Sequence, residues 1–263
     1  MATLERPDGT LVYDVAGEGP PLFLVSGLGG SRRYWDNLLP ALTAEFTVVT
    51  HDHMGTGETI SRRTAHTVEA LAEDVVALMD HLKIDAAHVL GHSTGAAVGQ
   101  VLGETAPERL RRLILFAGWP GPDPVFDMCF EMRRHMLADS GMEPYQRSTP
   151  IFLYPPRWIA ENIEMCRAVV DGLIALSPPV ETMLARIDMI VRFDRRDRLA
   201  LTGGEPLIVC ARDDILTPPH CSEAMAAGIP GARLALLEWG GHAVSQTDPA
   251  AFLDVILPEL RRG

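Results

Sequence analysis

Gly91-His92-Ser93-Thr94-Gly95 is the stretch whose residue types and spacing point most directly to chemistry. A serine flanked by glycines, after the apolar Val89-Leu90 and before Ala96, Ala97 and Gly99, is the pattern of a hydroxyl held up at a sharp strand-to-helix turn. Such a turn is strained and the helix after it packs close to the sheet, so both demand small residues. A serine hydroxyl is a poor nucleophile until a base takes its proton. His242, within Gly240-Gly241-His242-Ala243, is the candidate base, and a buried carboxylate must then fix its tautomer. Asp213 and Asp214 compete for that role; neighbours leaving a strand point opposite ways, so only one can face the histidine. Ser26-Gly27-Leu28-Gly29-Gly30 follows another apolar run. Its glycines suit a loop whose backbone N–H groups face developing negative charge. A phosphate cradle would need a lysine and a different glycine spacing.

The elements that must carry these residues are legible in the hydrophobic pattern. Pro21–Val25, Phe46–Thr50, Ala87–Leu90, Leu113–Ala117 and Pro206–Ala211 are continuous apolar or β-branched runs, the signature of strands covered on both faces. Thr10–Val15 and Leu234–Leu237 read as further strands. Helical spacing marks Tyr34–Ala44, the stretch from Val68 to Leu82 with Thr67 as its cap, the segment after Ser93, and a last helix from Pro249 to Leu260. Strands alternating with helices predict an α/β class and a mostly parallel, doubly wound sheet. Serine, acid and histidine all follow strand ends, at the carboxyl edge where such sheets bind ligands.

The rhythm breaks at Gly118. From Trp119 to Gly204 there are methionines, prolines and helical patterns but no buried strand. This predicts a core of residues 1–118 and 205–263 with a helical cap, 119–204, inserted over the serine. Trp119, Phe152, Tyr154 and Trp158 are the candidate substrate-binding side chains; Met128 and Met132 share the segment, and packing within the cap is the plainer role for any one of them. Tyr154 and Trp158 would share a face if their piece is one helix.

The chain has 263 residues, 47% hydrophobic and 22% charged, with a formal net charge of −12. That length permits one large core without stapling devices, and the acidic balance argues against a nucleic-acid or anionic-membrane partner. Cys129, Cys166, Cys210 and Cys221 lack zinc or C-x-x-C spacing and read as reduced thiols. His51-Asp52-His53 is not a metal motif, because consecutive side chains at a strand end diverge. No metal and no cofactor are expected. Neither a signal peptide nor an eighteen-residue apolar window is present, so the cytoplasm is the expected location. A homodimer stays open.

With these residues in place, the sequence resembles the α/β-hydrolase superfamily over nearly its whole length, in the chain order Ser93, Asp214, His242. The family's acid motif falls on Asp214-Ile215-Leu216-Thr217-Pro218, which implies Asp214 rather than Asp213. Its oxyanion donors map onto the backbone N–H groups of Leu28 and Thr94. Two departures stand out, Ser26 where many members have histidine and Met54 where they have arginine before Gly55. Within the superfamily the chain is similar to the aminoacrylate (carbamate) hydrolases of bacterial pyrimidine utilisation. The similar stretches are Ser26–Ser31 with Tyr34-Trp35, Phe152–Pro155 with Trp158, Cys210-Ala211 with Asp213-Asp214, and Gly240–Ala243 with Thr247–Pro249.

The expectation is therefore a cofactor-independent serine hydrolase acting on a small ester, lactone, amide or carbamate. The same fold also serves perhydrolases, carbon–carbon bond hydrolases and slow or inactive small-ligand receptors. A haloalkane dehalogenase would need a carboxylate where Ser93 stands.

Overall fold

The computed structural model describes residues 1–262. Its strands are β1 (Ala2–Arg6), β2 (Gly9–Ala16), β3 (Pro21–Val25), β4 (Thr47–His51), β5 (Ile60–Ser61), β6 (Ala87–His92), β7 (Leu110–Phe116), β8 (Leu207–Ala211) and β9 (Arg233–Leu237). They form one sheet in the order β1-β2-β4-β3-β6-β7-β8-β9, with β5 paired to β2. Pairing is antiparallel among β1, β2, β4 and β5, and parallel from β4 through β3, β6, β7 and β8 to β9. This is the α/β-hydrolase fold, with helices flanking a mostly parallel sheet.

The continuous apolar runs are explained by what each face meets. Along β3, Phe23 and Val25 point into one buried cluster and Leu22 and Leu24 into the other. In β7 Leu113 and Leu115 alternate in the same way with Ile114 and Phe116. The first cluster is closed by α2 (Val68–His81), α3 (Thr94–Thr105) and α9 (Pro219–Gly228). The second is closed by Trp35, by the short α1 (Leu39–Leu42), and by α11 (Pro249–Leu260), which α10 (Val244–Thr247) precedes. A period-two strand sandwiched between helices must be apolar at every position.

Between β7 and β8 lie α4 (Pro124–Ser140), α5 (Met142–Leu153), α6 (Pro156–Glu161), α7 (Ile163–Ala175) and α8 (Val180–Val191). They share the core of the sheet, apart from a small cluster of Tyr154 and Cys166 with Ala243. Phe126, Phe130, Leu137, Met183 and Ile187 join the same buried cluster as Phe23, Val89 and Leu115.

One expectation changes, and a strand was not foreseen. The helix read over Tyr34–Ala44 is a 3-10 turn, Arg32–Trp35, followed by α1. Pro40 has no N–H for the Asp36 carbonyl, so a helix can start beside it but not run through it. The N-terminal residues form strand β1, whose exposed edge offers no continuous apolar run to read. Thr67 caps α2 as expected, its Oγ1 accepting from Ala70 N at 3.1 Å. Among the described residues all four cysteines are free, and no single helix is long and apolar enough to cross a membrane.

Sandwiching the sheet also buries a base. His88 of β6 is fully covered, neither ring nitrogen has a partner, and its ring stands edge-on to Phe46 at 5.8 Å. Burial, with Arg111 and Arg112 adding to it, lowers its pKa from 6.5 to about 4. The unfolded chain therefore binds this proton below about pH 6.5 while the folded one refuses it until about pH 4, so stability is lost as pH falls through that window. His88→Leu should remove about one proton from the uptake on unfolding near pH 5. Urea titrations at pH 7, 5.5 and 4.5 read this directly, and an unchanged pH slope would refute it.

Candidate active site

β6 delivers Ser93 and α3 carries the chain away. Between them Ser93 adopts φ 55° and ψ −112°, a conformation that costs a non-glycine residue free energy. The strain is held by Ser93 N donating to the Phe116 carbonyl (2.8 Å) and by the Ser93 carbonyl accepting from Ala96 N (2.8 Å). The glycines flanking it have separate reasons. A Cβ on Gly91 would lie 2.0 Å from the Gly95 carbonyl oxygen, and one on Gly95 would lie 2.1 Å from that of Val25. Ser93 is 8% exposed, and what it opens on is a cavity.

His242 follows β9 and lines the same cavity. Its Nδ1 lies 2.9 Å from Asp214 Oδ2. Asp214 is buried and well supplied: Oδ1 accepts from Leu216 N (2.8 Å) and Thr217 N (3.0 Å). The Thr217 hydroxyl lies 3.0 Å from both Asp214 Oδ2 and the Ala117 carbonyl, so its single proton can serve either. A carboxylate oxygen facing Nδ1 favours the Nδ1–H tautomer and leaves Nε2 as the acceptor. The His242 ring bonds to Asp214 and Thr217 and not to Ser93. Asp213 serves elsewhere. Its Oδ1 accepts from Gly241 N at 2.9 Å and so pins the histidine loop.

The Gly27–Gly30 loop passes against the serine; a Cβ on Gly27 would come within 3.3 Å of Ser93 Cβ. Thr94 is the first residue of α3, where N–H groups have no partner inside the helix. The loop is tied at both sides. Arg32 N and Nη1 bond the two oxygens of Asp52 at 2.8 and 2.5 Å. From the other side Arg186 of α8 donates through Nε (3.1 Å) and Nη2 (2.7 Å) to the Leu28 carbonyl. Arg186 is fully buried, and desolvation lowers its pKa to about 10.

Several residues gave little or no sign of their role in the sequence. His92, inside the serine motif, binds the His242 backbone carbonyl through Nε2 at 3.0 Å and stacks on Tyr34 at 4.5 Å. Burial, with His242 beside it, drives its pKa well below the usual value, so it stays neutral. Gln246 links the Tyr154 hydroxyl (2.6 Å) to the Tyr34 carbonyl (3.3 Å). No spacing rule announces such contacts; His92 alone carried a signal, as an ionisable residue in an otherwise small-residue turn.

The cavity measures about 510 Å³, within the range that takes a drug-sized ligand and larger than a few-atom substrate needs. Tyr154 and Trp158 lie on its wall with ring centroids 4.8 Å apart. They do not share a helix, because Tyr154 is extended between α5 and α6. Trp119 and Phe152 are placed in packed core instead of on the wall. Trp119 stacks on Phe126 at 4.7 Å, and Phe152 covers the Arg133 guanidinium at 4.7 Å. Met128 and Met132 are 70% and 49% exposed and face outward.

His51 and His53 do approach, with ring centroids 5.6 Å apart, since alternate residues share a face. His53 Nδ1 is already met by the Arg186 cation at 3.0 Å, and Asp52 is turned to Arg32. Asp123, His220 and Cys221 bring candidate ligand atoms within 4.8 Å of one another. Asp123 is already used to cap α4 and to hold His220 Nε2 at 2.6 Å, and burial pushes the Cys221 thiol up to about 12.

Comparison with known proteins bears on this geometry. The family model for the α/β hydrolase fold matches residues 20–148. A protein of Azorhizobium caulinodans with the provisional name carbamate hydrolase RutD is 39% identical over 250 residues, covering 95% of this chain and 94% of that one. The chain belongs to the α/β-hydrolase family. Among α/β hydrolases it is RutD-like: a relative of the same provisional name from Caulobacter vibrioides is 40% identical over 261 residues, 97% of this chain and 96% of its own. A crystal structure of a hydrolase from Pseudomonas aeruginosa superposes with a TM-score of 0.87 at 29% identity, covering 98% of this chain and 97% of the other.

The two aspartates of this α/β hydrolase should separate cleanly. Asp214→Asn removes tautomer control and is expected to cost roughly 10⁴-fold in hydrolytic turnover. Asp213→Asn keeps an oxygen acceptor for Gly241 N and should cost little, whereas Asp213→Ala frees the histidine loop and should fall between. Steady-state hydrolysis of an activated aryl ester ranks the three; the reverse order for the two asparagine variants would assign the acid to Asp213.

Proposed function

We propose that the chain is a serine hydrolase in which Ser93 is the nucleophile, His242 the general base and Asp214 the residue that orients it. The observation that carries this is the strained Ser93, opening on the same cavity as a histidine whose Nδ1 is held 2.9 Å from a buried carboxylate. Ser93 Oγ attacks the acyl carbon while its proton passes to His242 Nε2. The oxygen that gains charge is met by the N–H groups of Leu28 and Thr94. His242 then gives the proton to the departing alcohol or amine, leaving an acyl-serine that water hydrolyses by the same relay in reverse. Every step is a proton or acyl transfer among these groups, and none calls for a metal or cofactor.

The substrate is a small-molecule ester, lactone, amide or carbamate. The carbamate option takes its support from the names of the RutD relatives. Residues 119–204 act as the cap in this reading. They place Tyr154 and Trp158 on the wall and limit the access of water to the acyl-enzyme.

A fluorophosphonate probe should add once, on the peptide bearing Ser93, and Ser93→Ala should abolish both labelling and ester turnover while keeping the wild-type melting transition. Mass spectrometry of the labelled digest and a panel of activated esters check both. Labelling elsewhere, or turnover that survives in the alanine variant, overturns the assignment.

A further inference from the structure

Of the buried arginines Arg32, Arg133, Arg186 and Arg195, Arg133 is the one whose guanidinium meets neither a carboxylate nor a backbone carbonyl among the described residues. Arg32 is paired with Asp14, Asp52 and Glu58, and Arg195 with Glu104. Arg186 has the Leu28 carbonyl and His53. Arg133 of α4 is 5% exposed, and its one hydrogen bond is from Nη2 to the Thr149 hydroxyl at 3.1 Å. Its Nε and Nη1 have no partner, and among the described residues no carboxylate pairs with it. The faces of Tyr145 and Phe152, 4.3 and 4.7 Å from the guanidinium carbon, offer some compensation. They do not supply the counter-charge that a buried cation ordinarily requires.

Arg133 also lines the cavity on which Ser93 opens. Beside it Thr149 and Gln146 continue a polar pole on the same wall, Gln146 Nε2 donating to Ser177 Oγ at 3.0 Å. None of these side chains bonds to Ser93, Asp214 or His242, and the lining also includes the apolar Leu153, Met183 and Leu216. The cavity thus holds both Ser93 and a cationic group that makes no bond to Ser93, Asp214 or His242, and its volume of about 510 Å³ exceeds what a few-atom substrate fills.

We infer that Arg133 is a specificity-determining residue that receives a carboxylate carried by the acyl group, remote from the scissile carbon. The substrates favoured by this cavity are then half-esters, half-amides or lactones whose acyl part ends in a second, free carboxylate. The inference rests on the serine-hydrolase reading for its chemistry and on Arg133 alone for its selectivity. A carboxylate that meets this guanidinium gains a charge-assisted, fork-like pairing in a poorly hydrated site. A neutral chain of the same length leaves the guanidinium unmatched, the situation in which binding sites discriminate most strongly.

The test compares 4-nitrophenyl hydrogen adipate with its methyl ester, equal in acyl length and different in charge. Wild type should prefer the free acid by at least about tenfold in kcat/KM, mostly through KM. In Arg133→Met that ratio should fall to about one, and Arg133→Lys, which keeps the charge without the fork, should lie between. Should Arg133→Met lose its melting transition, the lysine variant decides by the same ratio. Equal use of both esters by wild type, or a ratio unmoved in the variants, overturns the inference. Calorimetric binding of adipate to Ser93→Ala separates the two readings. If no ester is turned over but adipate binds and Arg133→Met abolishes that binding, the hydrolase reading fails and the anion site stands. If esters are hydrolysed but adipate binding ignores Arg133, the anion site fails alone.

Discussion

The close approach of α3 to the end of β3 is the constraint on which the rest of the site depends. Gly95 backs directly onto the Val25 carbonyl, where a Cβ would meet it at 2.1 Å. That contact turns the chain sharply enough to leave Ser93 at φ 55° with its side chain on a cavity wall. A serine in an ordinary helix or strand would be half-buried in packing or free in solvent. The turn removes both outcomes at a cost of about 1–3 kcal/mol of backbone strain. Fully buried strands on either side, β3 and β7, make that cost bearable because their register cannot slip without unsatisfied backbone groups.

From the elbow outward, each functional group is held by the neighbour it would otherwise lose. Asp214 is fixed by two backbone N–H groups of its own loop, His242 by Asp214 through the ring and by His92 through its carbonyl. His92 is kept neutral by burial, so it can bond the carbonyl without placing a cation beside His242. The glycine loop is clasped by Arg32 on one side and Arg186 on the other. These supports span four separate stretches of chain, and a change at any of them is felt at the same few ångströms.

The helices between β7 and β8 belong to that system. They share the buried cluster of the sheet's first face, and through Arg186 they grip the loop that passes beside Ser93. Movement of α8 would therefore move the Leu28 carbonyl. The same helices carry Arg133, so one segment of chain both braces the loop beside Ser93 and brings a guanidinium to the cavity wall.

The sequence by itself determined the α/β class, most strand positions and the small-residue turn that carries Ser93. It did so because doubly covered strands must be apolar at every position and because a strained turn admits only small neighbours. The residues alone left Asp213 and Asp214 open and only the family resemblance pointed to Asp214; in the structure each carboxylate has its own set of donors, one facing His242 and the other Gly241 N. Other features were decided in three dimensions alone. Trp119 and Phe152 had the composition of pocket residues but lie in packed core, since aromatic side chains suit both places and period does not tell them apart. Tyr154 and Trp158 meet across a break between helices, a contact that helical spacing suggested for the wrong reason. Arg133 and Arg186 look like any surface arginine in sequence. What sets them apart is the carboxylate that no neighbouring element supplies, and only the packed fold decides which charges are left without one.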